Sequence, residues 1–506
     1  MTNNMAQLYQ QVCDHARQTA MIASIESVLG WDDHTYLPAA AGDYRAEQIT
    51  FLTGQVHQRW VDKAFGDWLD TLAADHLATH PATDTAVVIH RLKRQRDRRI
   101  KLPQSLVEEL TRTAVLGQLA WQEARAQNDY AKFRPYLQKT ITLKKQQAEA
   151  LGFNDHPYDA LLDEFEPEEQ TANVGRVLSG LREQLVPLVA AILNSGRQPR
   201  MEILKRNFPV EVQKTFGQRA AEAIGYDFKR GRLDVTVHPF CATLGPHDCR
   251  ITARYDENFF NMAFFAVMHE AGHGIYEQAL PADYYGLPLC EAASMGIHES
   301  QSRMWENFVG RSRAFWRHYL PVAQAFFPQS LGDVSLEDFY FAINDVRPSL
   351  IRVEADEATY NLHILIRFEL ELAMMQGDVG VDDLPSAWND KYRQYLGITP
   401  PRDAEGVLQD MHWSGGLIGY FPTYALGNLY AAQFFAQARN ELGNLDGMFE
   451  RGEFEPLRLW LREKIHRHGK RFTAAELVEH VTGRPLSYEP LMMHLYDKFR
   501  PLYGLD

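Results

Sequence analysis

The sequence contains little cysteine and no long apolar segment. Its four cysteines, Cys13, Cys241, Cys249 and Cys290, are widely spaced, and none belongs to a C-x-x-C pair. This spacing argues against a disulfide framework and against a cysteine-based zinc site. The first twenty residues lack the basic segment and apolar core of a secretory signal peptide, and no apolar run approaches membrane-spanning length. We therefore expect a cytoplasmic protein that does not bind membranes.

The sequence also lacks net positive charge. Its 506 residues include 66 acidic and 52 basic side chains, for a formal charge of −14. This balance disfavours nucleic acid as a partner. Seven basic side chains are concentrated between Arg91 and Lys101. Because no aromatic residue is interleaved with them, we interpret this run as a solvated helix face.

Most of the chain has apolar residues at the three- and four-residue spacing of helices. We predict helices from Gln7 to Ile100 with a loop at 30–38, then further helices up to residue 151 and over 171–194. Between Arg232 and Arg254, apolar and polar residues alternate on either side of a Gly-Pro turn, which predicts two short strands. The expected fold is mainly α, a single helical body with two lobes around a cleft lined by a small β-hairpin or sheet.

A metal-binding pattern lies within the apolar segment from Phe259 to Leu280. Residues 269–273 are His-Glu-Ala-Gly-His. On a helix, His269 and His273 share one face, so both imidazoles can bind one ion. Glu270 lies one step around the helix, where it can take a proton from a metal-bound water. The pattern is typical of zinc hydrolases, although a chance match on a core helix is the alternative.

A hydrolytic zinc site needs a third protein ligand and an open position. Three glutamates follow on the helix predicted from Cys290 to Val309, namely Glu291, Glu299 and Glu306. Glu299, 26 positions after His273, is favoured because it lies mid-helix beside His298. Glu306 is expected to orient a neighbouring side chain. We expect His298 to contact a ligand or the substrate.

Two further segments carry groups suited to peptide hydrolysis. A helix predicted from Ser349 to Met375 contains Arg352 and Asp356, which are four residues apart. They form either a simple surface ion pair or a site in which Asp356 orients Arg352 for a substrate carboxylate. His412 precedes a glycine- and aromatic-rich segment, so it and one or two tyrosines there can stabilise an oxyanion.

Six short motifs occur in one order along the chain. They are His238-Pro239-Phe240, the D-x-R-x-T pattern of Asp248, Arg250 and Thr252, the HEAGH segment, His298-Glu299-Ser300, I-R-x-x-A-D at 351–356, and G-x-x-Q-D-x-H-W at 406–413. With these motifs the chain resembles the carboxypeptidase Taq family of metallocarboxypeptidases, within the wider group of H-E-x-x-H-plus-Glu zinc peptidases.

The resemblance implies one catalytic domain over residues 1–506 with a neurolysin-like groove. It implies an N-terminal helical lid over about 1–105, a metal site within about 232–430, and a homodimer. The implied cofactor is Zn²⁺, for which Co²⁺ can substitute. The implied activity is the release of single C-terminal residues, with broad specificity, from peptides that have a free C-terminus.

The resemblance also implies roles for individual side chains. His269, His273 and Glu299 are the implied metal ligands, and Glu270 is the general base. Arg352 holds the substrate's C-terminal carboxylate. The remaining implied roles belong to Arg250 and His238 at the far end of the groove, to His412 and Tyr420 as transition-state donors, and to Tyr424 as a second candidate donor. Two alternatives stay open: a zinc oligopeptidase or dipeptidyl carboxypeptidase, and a metal-free helical scaffold.

Overall fold

The computed structural model describes residues 3–80 and 83–505, and the chain is mainly helical, as predicted. The α-helices in chain order are α1 Asn3–Asp33, α2 Gly42–Val61, α3 Lys63–Ala73, α4 Asp84–Lys101, α5 Gln104–Gln127, α6 Tyr130–Leu151, α7 Pro157–Leu162, α8 Thr171–Asn194, α9 Val210–Ile224, α10 Phe260–Ala279, α11 Met295–Arg303, α12 Arg313–Phe326, α13 Pro328–Leu331, α14 Leu336–Ile343, α15 Thr359–Gln376, α16 Leu384–Leu396, α17 Pro422–Leu442, α18 Leu445–Glu450, α19 Glu455–Lys464, α20 Ala474–Thr482 and α21 Glu489–Tyr503.

A small sheet precedes α10 and contains three strands, whereas two were predicted. They are β1 Leu233–Val235, β2 Cys241–Gly245 and β3 Asp248–Ala253. The strand order is β1-β3-β2, with β2 antiparallel and β1 parallel to β3. The prediction was wrong because Pro239, which has no N–H to donate to a ladder, interrupts the first apolar run. The two predicted strands correspond to β1 and β3, which pair in parallel, so β2 is the strand that was missed.

Within the described part of the chain, most buried apolar side chains belong to one of two separate clusters. The smaller cluster joins α1, α3 and α4 to the segment before α11, through residues such as Val12, Leu69, Val88 and Leu289. The larger cluster contains most of the remaining buried apolar residues and extends from α5 to α21. The N-terminal helices therefore have a core of their own. Their role as a lid over about 1–105 stays a prediction.

The basic run of α4 is not the solvated face that we expected. Arg94 and Arg98 both form ion pairs with Asp163, which lies just after α7. Arg98 Nη2 also donates to the Ala160 carbonyl at 3.1 Å, and Lys101 Nζ donates to a main-chain carbonyl at the end of α6. The interpretation was wrong because α4 packs against the body of the protein, so its charges bind carboxylates and carbonyl groups there.

The helix predicted from Cys290 begins later, at Met295. The Ser294 side chain accepts a hydrogen bond from the Ile297 N–H, which caps the helix at that point. After α11 the chain continues into one π-helical turn, Met304–Val309. The predicted helix therefore consists of a capped α-helix followed by a π-helical turn, a feature that is frequent at functional sites.

Among the described helices, α8 is long and apolar enough to cross a membrane by length and composition alone. One face of α8 is buried in the larger core. The buried residues include Val174, Val177, Leu178, Leu181, Leu185 and Ile192. The opposite side carries charged residues such as Arg182, which binds Glu369. This arrangement is that of an amphipathic core helix.

Candidate active site

The histidine pair lies on α10, whose bounds confirm the helix predicted over 259–280. Apolar residues on both sides of the pair, including Met268, Ala271 and Ile275, are buried in the larger core. The rings of His269 and His273 lie 4.9 Å apart between centroids. The core thus fixes α10 in an orientation that places both imidazoles on one face.

Two glycines allow α11 to approach its neighbours closely. A Cβ at Gly272 on α10 would lie 2.6 Å from the Ser302 Cα. On the other side of α11, a Cβ at Gly427 on α17 would lie 2.5 Å from the Glu299 Cγ. Any larger residue at either glycine would displace α11. Close packing on both sides therefore holds Glu299 beside the histidines.

The three predicted ligands converge on one point. Glu299 Oε2 lies 3.6 Å from His269 Nε2 and 3.4 Å from His273 Nε2, and all three candidate ligand atoms lie within 4.8 Å of one another. Bonds of about 2.0–2.1 Å around a tetrahedral zinc ion separate its ligand atoms by about 3.4 Å. The spacing and the donor set therefore fit zinc with one open coordination position.

Charged neighbours orient two of these three side chains. Glu306 Oε2 lies 2.9 Å from His269 Nδ1, so that nitrogen carries the proton and Nε2 keeps its lone pair for an ion. Arg303 Nε donates to Glu299 Oε1 at 2.7 Å, which leaves Oε2 facing the histidines. Arg303 Nη1 also donates to Glu306 at 3.2 Å. Glu306 therefore has the orienting role predicted from the sequence.

The third side chain, His273, has a different environment. Its Nδ1 lies 2.5 Å from His298 Nδ1. His298 Nε2 in turn lies 2.8 Å from Glu277 Oε1. His298 therefore contacts His273, one of the three predicted metal ligands.

Burial determines the protonation of the groups at the site. It raises the pKa of Glu270 to about 7, close to the value that favours a general base at neutral pH. It lowers the pKa of His273 to about 3, so this imidazole is neutral. Burial opposes ionisation of Glu299, but Arg303 and His269 outweigh it and hold the pKa of that carboxyl well below its usual range.

Arg352 does not lie on α15, and Asp356 does not bind it. The chain from 349 to 358 is a loop with a 3-10 turn at Arg352–Glu354. Asp356 instead caps α15 by accepting N–H donors from Ala358 and Thr359, each at 2.9 Å. The predicted Arg352–Asp356 pair was wrong because the spacing argument assumed a helix that begins ten residues too early.

Asp410 is the carboxylate that binds Arg352. Its Oδ1 accepts Arg352 Nε at 3.0 Å and Nη2 at 2.8 Å, and its Oδ2 accepts Arg367 Nε at 2.8 Å. Burial opposes ionisation of Asp410, but the two arginines outweigh it and hold its pKa far below its usual range. Gln409 Oε1 further accepts the Arg352 N–H at 2.9 Å. Asp410 thus binds two buried arginines, and Arg352, Arg367 and Asp410 together carry one net positive charge.

The predicted transition-state donors form one cluster beside this arginine. His412 Nε2 lies 3.4 Å from the Tyr424 Oη, and the Tyr420 and Tyr424 rings are 5.3 Å apart between centroids. Arg352 lies over Tyr424 at 5.1 Å. Burial, together with the charge of Glu299, raises the pKa of both tyrosines, so each phenol keeps its proton. Burial lowers the pKa of His412 to about 4, so its imidazole is neutral.

Arg250 and His238 lie at the sheet, apart from this cluster. Arg250 on β3 binds Asp248 through two hydrogen bonds of 2.9 Å and lies 4.1 Å from the Trp31 ring centroid. His238 is exposed in the connection between β1 and β2.

The loop predicted at 30–38 is shorter than expected, because α1 continues to Asp33 and buries Trp31. The N-terminal region therefore packs directly on the sheet.

Several site residues were not found from the sequence. Arg303 and Glu277 each lie four residues after a predicted ligand, a spacing that places both members of the pair on one helix face. That spacing was a usable signal. Asp410 was part of a quoted motif but was given no role. The sequence carries no local signal for its contact with Arg352, which is 58 residues away.

Comparison with known proteins agrees with this geometry. The sequence matches the family described as carboxypeptidase Taq (M32) metallopeptidase over residues 11–499. It is 46% identical over 505 residues to thermostable carboxypeptidase 1 of Thermus thermophilus, which covers 98% of this chain and 99% of that protein. It is 42% identical over 481 residues to carboxypeptidase 1 of Bacillus subtilis, which covers 95% of each chain.

Two solved structures support the same family relationship. The crystal structure of the M32 carboxypeptidase from Deinococcus radiodurans R1 matches this chain with a TM-score of 0.96 and 42% sequence identity, over 99% of this chain and 100% of that chain. The carboxypeptidase of Pyrococcus furiosus matches with a TM-score of 0.94 and 35% identity, over 97% of this chain and 99% of that chain. The chain therefore belongs to the carboxypeptidase Taq (M32) family of metallopeptidases and is a metallocarboxypeptidase.

Proposed function

We propose that this metallocarboxypeptidase holds Zn²⁺, or Co²⁺ in its place, on His269, His273 and Glu299. We further propose that it releases single C-terminal residues from peptides with broad specificity. The convergence of the three ligand atoms, with distances of 3.4 and 3.6 Å to Glu299 Oε2, is the observation that carries the proposal. The names of the relatives favour this activity over an oligopeptidase, a dipeptidyl carboxypeptidase or a metal-free scaffold.

Glu270 is the proton carrier of the proposed reaction. A metal ion bound at this site supplies Lewis-acid activation of water and of the peptide carbonyl. The Glu270 carboxylate takes the proton from the attacking water and delivers it to the leaving amine nitrogen. His412 Nε2 and the hydroxyl groups of Tyr420 and Tyr424 donate hydrogen bonds to the carbonyl oxygen as negative charge develops on it.

Arg352 makes the enzyme an exopeptidase in this proposal. Its guanidinium is buried, and Asp410 and Tyr360 hold it in one orientation. Because Arg352, Arg367 and Asp410 together keep one net positive charge, the group can bind the free carboxylate of a substrate without leaving an unpaired buried charge. A peptide amide cannot supply that negative charge.

The remaining proposals concern the surroundings of the site. Arg250 and His238 line the far end of the groove and limit substrate length, and the N-terminal helices over about 1–105 act as a lid. The protein is a cytoplasmic homodimer that binds peptides rather than nucleic acid or membranes. The acidic composition supports the exclusion of nucleic acid.

Metal titration of the purified protein tests the proposed site. Metal-stripped protein titrated with Co²⁺ should bind one equivalent and develop the visible spectrum of a tetrahedral ion. His273→Ala should abolish that spectrum, and Glu270→Gln should keep it while losing most turnover. His57→Ala, at an exposed histidine on α2, is the matched control and should behave as wild type. Binding of one equivalent by His273→Ala with an unchanged spectrum would refute the assignment.

A further inference from the structure

We propose that Glu277 is a positioning residue for the metal site. Acting through His298, it fixes the proton of His273 on Nδ1, so that the Nε2 lone pair of this ligand is available to the metal. The inference rests on the proposed role of His273 as a metal ligand.

 Two hydrogen bonds connect Glu277 to His273 through His298, and Glu277 acts on the metal site only through His273.

The first contact fixes the proton of His298. Glu277 lies on α10, four residues after His273, on the same helix face. Its Oε1 lies 2.8 Å from His298 Nε2, and its Oε2 accepts the Thr243 hydroxyl at 2.9 Å. Burial opposes ionisation of Glu277, but His298 outweighs it and keeps the pKa of Glu277 below its usual value. Because an ionised carboxylate can only accept, His298 Nε2 carries a proton.

The second contact passes this constraint on to the ligand. With its proton on Nε2, the His298 imidazole offers Nδ1 as an acceptor. The atom facing it, at 2.5 Å, is His273 Nδ1, which must therefore donate. The proton of His273 then lies on Nδ1, and its bare Nε2 points towards Glu299 Oε2 at 3.4 Å. The opposite tautomer of His298 would place the proton of His273 on Nε2, where it blocks metal binding.

The other ligand histidine is oriented without an intermediate. Glu306 Oε2 lies 2.9 Å from His269 Nδ1 and also accepts a hydrogen bond from Arg303 Nη1 at 3.2 Å. A change at Glu277 leaves these contacts intact. Loss of the Glu277 carboxylate should therefore weaken metal binding by its effect on His273 alone, and metal binding should not be abolished.

Glu277 is not required to fill the core. Its side chain is 17% exposed and lies at the wall of a cavity of about 1170 Å³, together with Thr243 and Cys249. A leucine at this position therefore has room beside the cavity. Substitution can remove the carboxylate and leave the surrounding helices in place.

Two variants at Glu277 separate the role of the acceptor from that of the residue's bulk. In Glu277→Leu no acceptor remains for His298, and the metal affinity measured by chelator competition should fall about 10- to 100-fold. In Glu277→Gln the amide oxygen can still accept from His298, so the affinity should stay close to that of wild type. Thr243→Val, which removes the hydrogen bond to Oε2 and a weak contact with Cys249 Sγ at 3.8 Å, is the matched control and should also resemble wild type.

The tautomer itself is read in the metal-free protein by ¹⁵N NMR of labelled histidine. We expect His273 to be protonated at Nδ1 in wild type and in Glu277→Gln, and to populate the Nε2 tautomer in Glu277→Leu. Circular dichroism checks that each variant is folded. Unchanged affinity and an unchanged tautomer in Glu277→Leu would overturn the inference, as would an equal loss in Glu277→Gln. If wild type binds no metal through His273, the proposed function fails instead.

Discussion

At the scale of single residues, Glu270 provides the most direct link between structure and rate. Burial raises its pKa to about 7, and only the ionised form can act as the base. We therefore predict that kcat/KM rises with pH and levels off near or below pH 7, because a bound cation lowers the pKa of a neighbouring carboxyl. A pH profile of kcat/KM at saturating metal measures this rise, the acid limb of the profile.

Glu270→Gln provides the control for that profile. Without the base, kcat should fall about 10²- to 10⁴-fold, and the remaining activity should not show the same acid limb. A limb that persists unchanged in Glu270→Gln would assign the titration to another group.

Arg352 supports a second prediction at the same scale. Arg352→Met should lower kcat/KM for free-acid peptides, because a hydrogen bond to a charged group contributes about 1.5–3 kcal/mol, or roughly 10- to 150-fold. The preference for free-acid over amidated substrates should largely disappear. Steady-state kinetics on matched peptide pairs measures both effects.

Arg250→Met is the matched control for Arg352→Met. Arg250 is also held by a carboxylate but lies at the sheet, against Trp31. Its loss should leave the preference for the free carboxylate unchanged. If Arg250→Met lost the preference for the free carboxylate and Arg352→Met kept it, carboxylate binding would be assigned to Arg250 instead of Arg352.

The site could be predicted from the sequence where its residues share one helix or one motif. The spacing of His269, Glu270 and His273 predicted their common face, and the position of Glu299 on the next helix suggested the third ligand. The partner of Arg352 could not be found in this way. Asp410 reaches it across 58 residues of chain, and only the tertiary fold brings the two together.

At the scale of elements, α11 depends on contacts at both of its sides and at its start. Glu166, just after α7, accepts the Gly296 N–H in the first turn of α11. Burial raises the pKa of Glu166 to about 8 in the folded protein, against an ordinary value near 4.5. The folded state thus holds a proton that the unfolded state releases between pH 4.5 and 8. Stability is lost as pH rises through this window.

Glu166→Gln tests this element directly. Glutamine resembles the protonated acid, so it should remove the pH-dependent penalty. We predict that the Tm of Glu166→Gln relative to wild type is more favourable at pH 8 than at pH 5, and thermal unfolding at the two pH values measures the difference. Equal differences at the two values would show that Glu166 is ionised in the folded state.

The elements themselves could be predicted in type more reliably than in extent. The periodic spacing of apolar residues located α8 and α10 almost to the residue. The start of α15 was placed too early, because an Asp cap at Asp356 resembles an ordinary helical acid in a sequence pattern. The strand that was missed is β2, because residues 241–245 were assigned to the loop between the two alternating runs.

At the scale of the whole molecule, the N-terminal helices contact the body through charged groups and through the sheet. Arg94 and Arg98 bind Asp163, and Tyr36 donates to Asp234 at 2.7 Å. Sequence composition suggested that α4 was solvated, since a run of like charges does not reveal which carboxylates lie opposite it. These contacts join the predicted lid to the body at the end of α7 and at the sheet.

The central claim is that one metal site and one carboxylate-binding arginine together remove single residues from a free C-terminus. Mass spectrometry of a peptide incubated with the metal-loaded enzyme tests it most directly, with the same peptide amidated at its C-terminus as the control. We predict a ladder of products that each lose one C-terminal residue from the free acid, and little cleavage of the amide. Internal fragments, dipeptide release or equal cleavage of the amide would contradict the account.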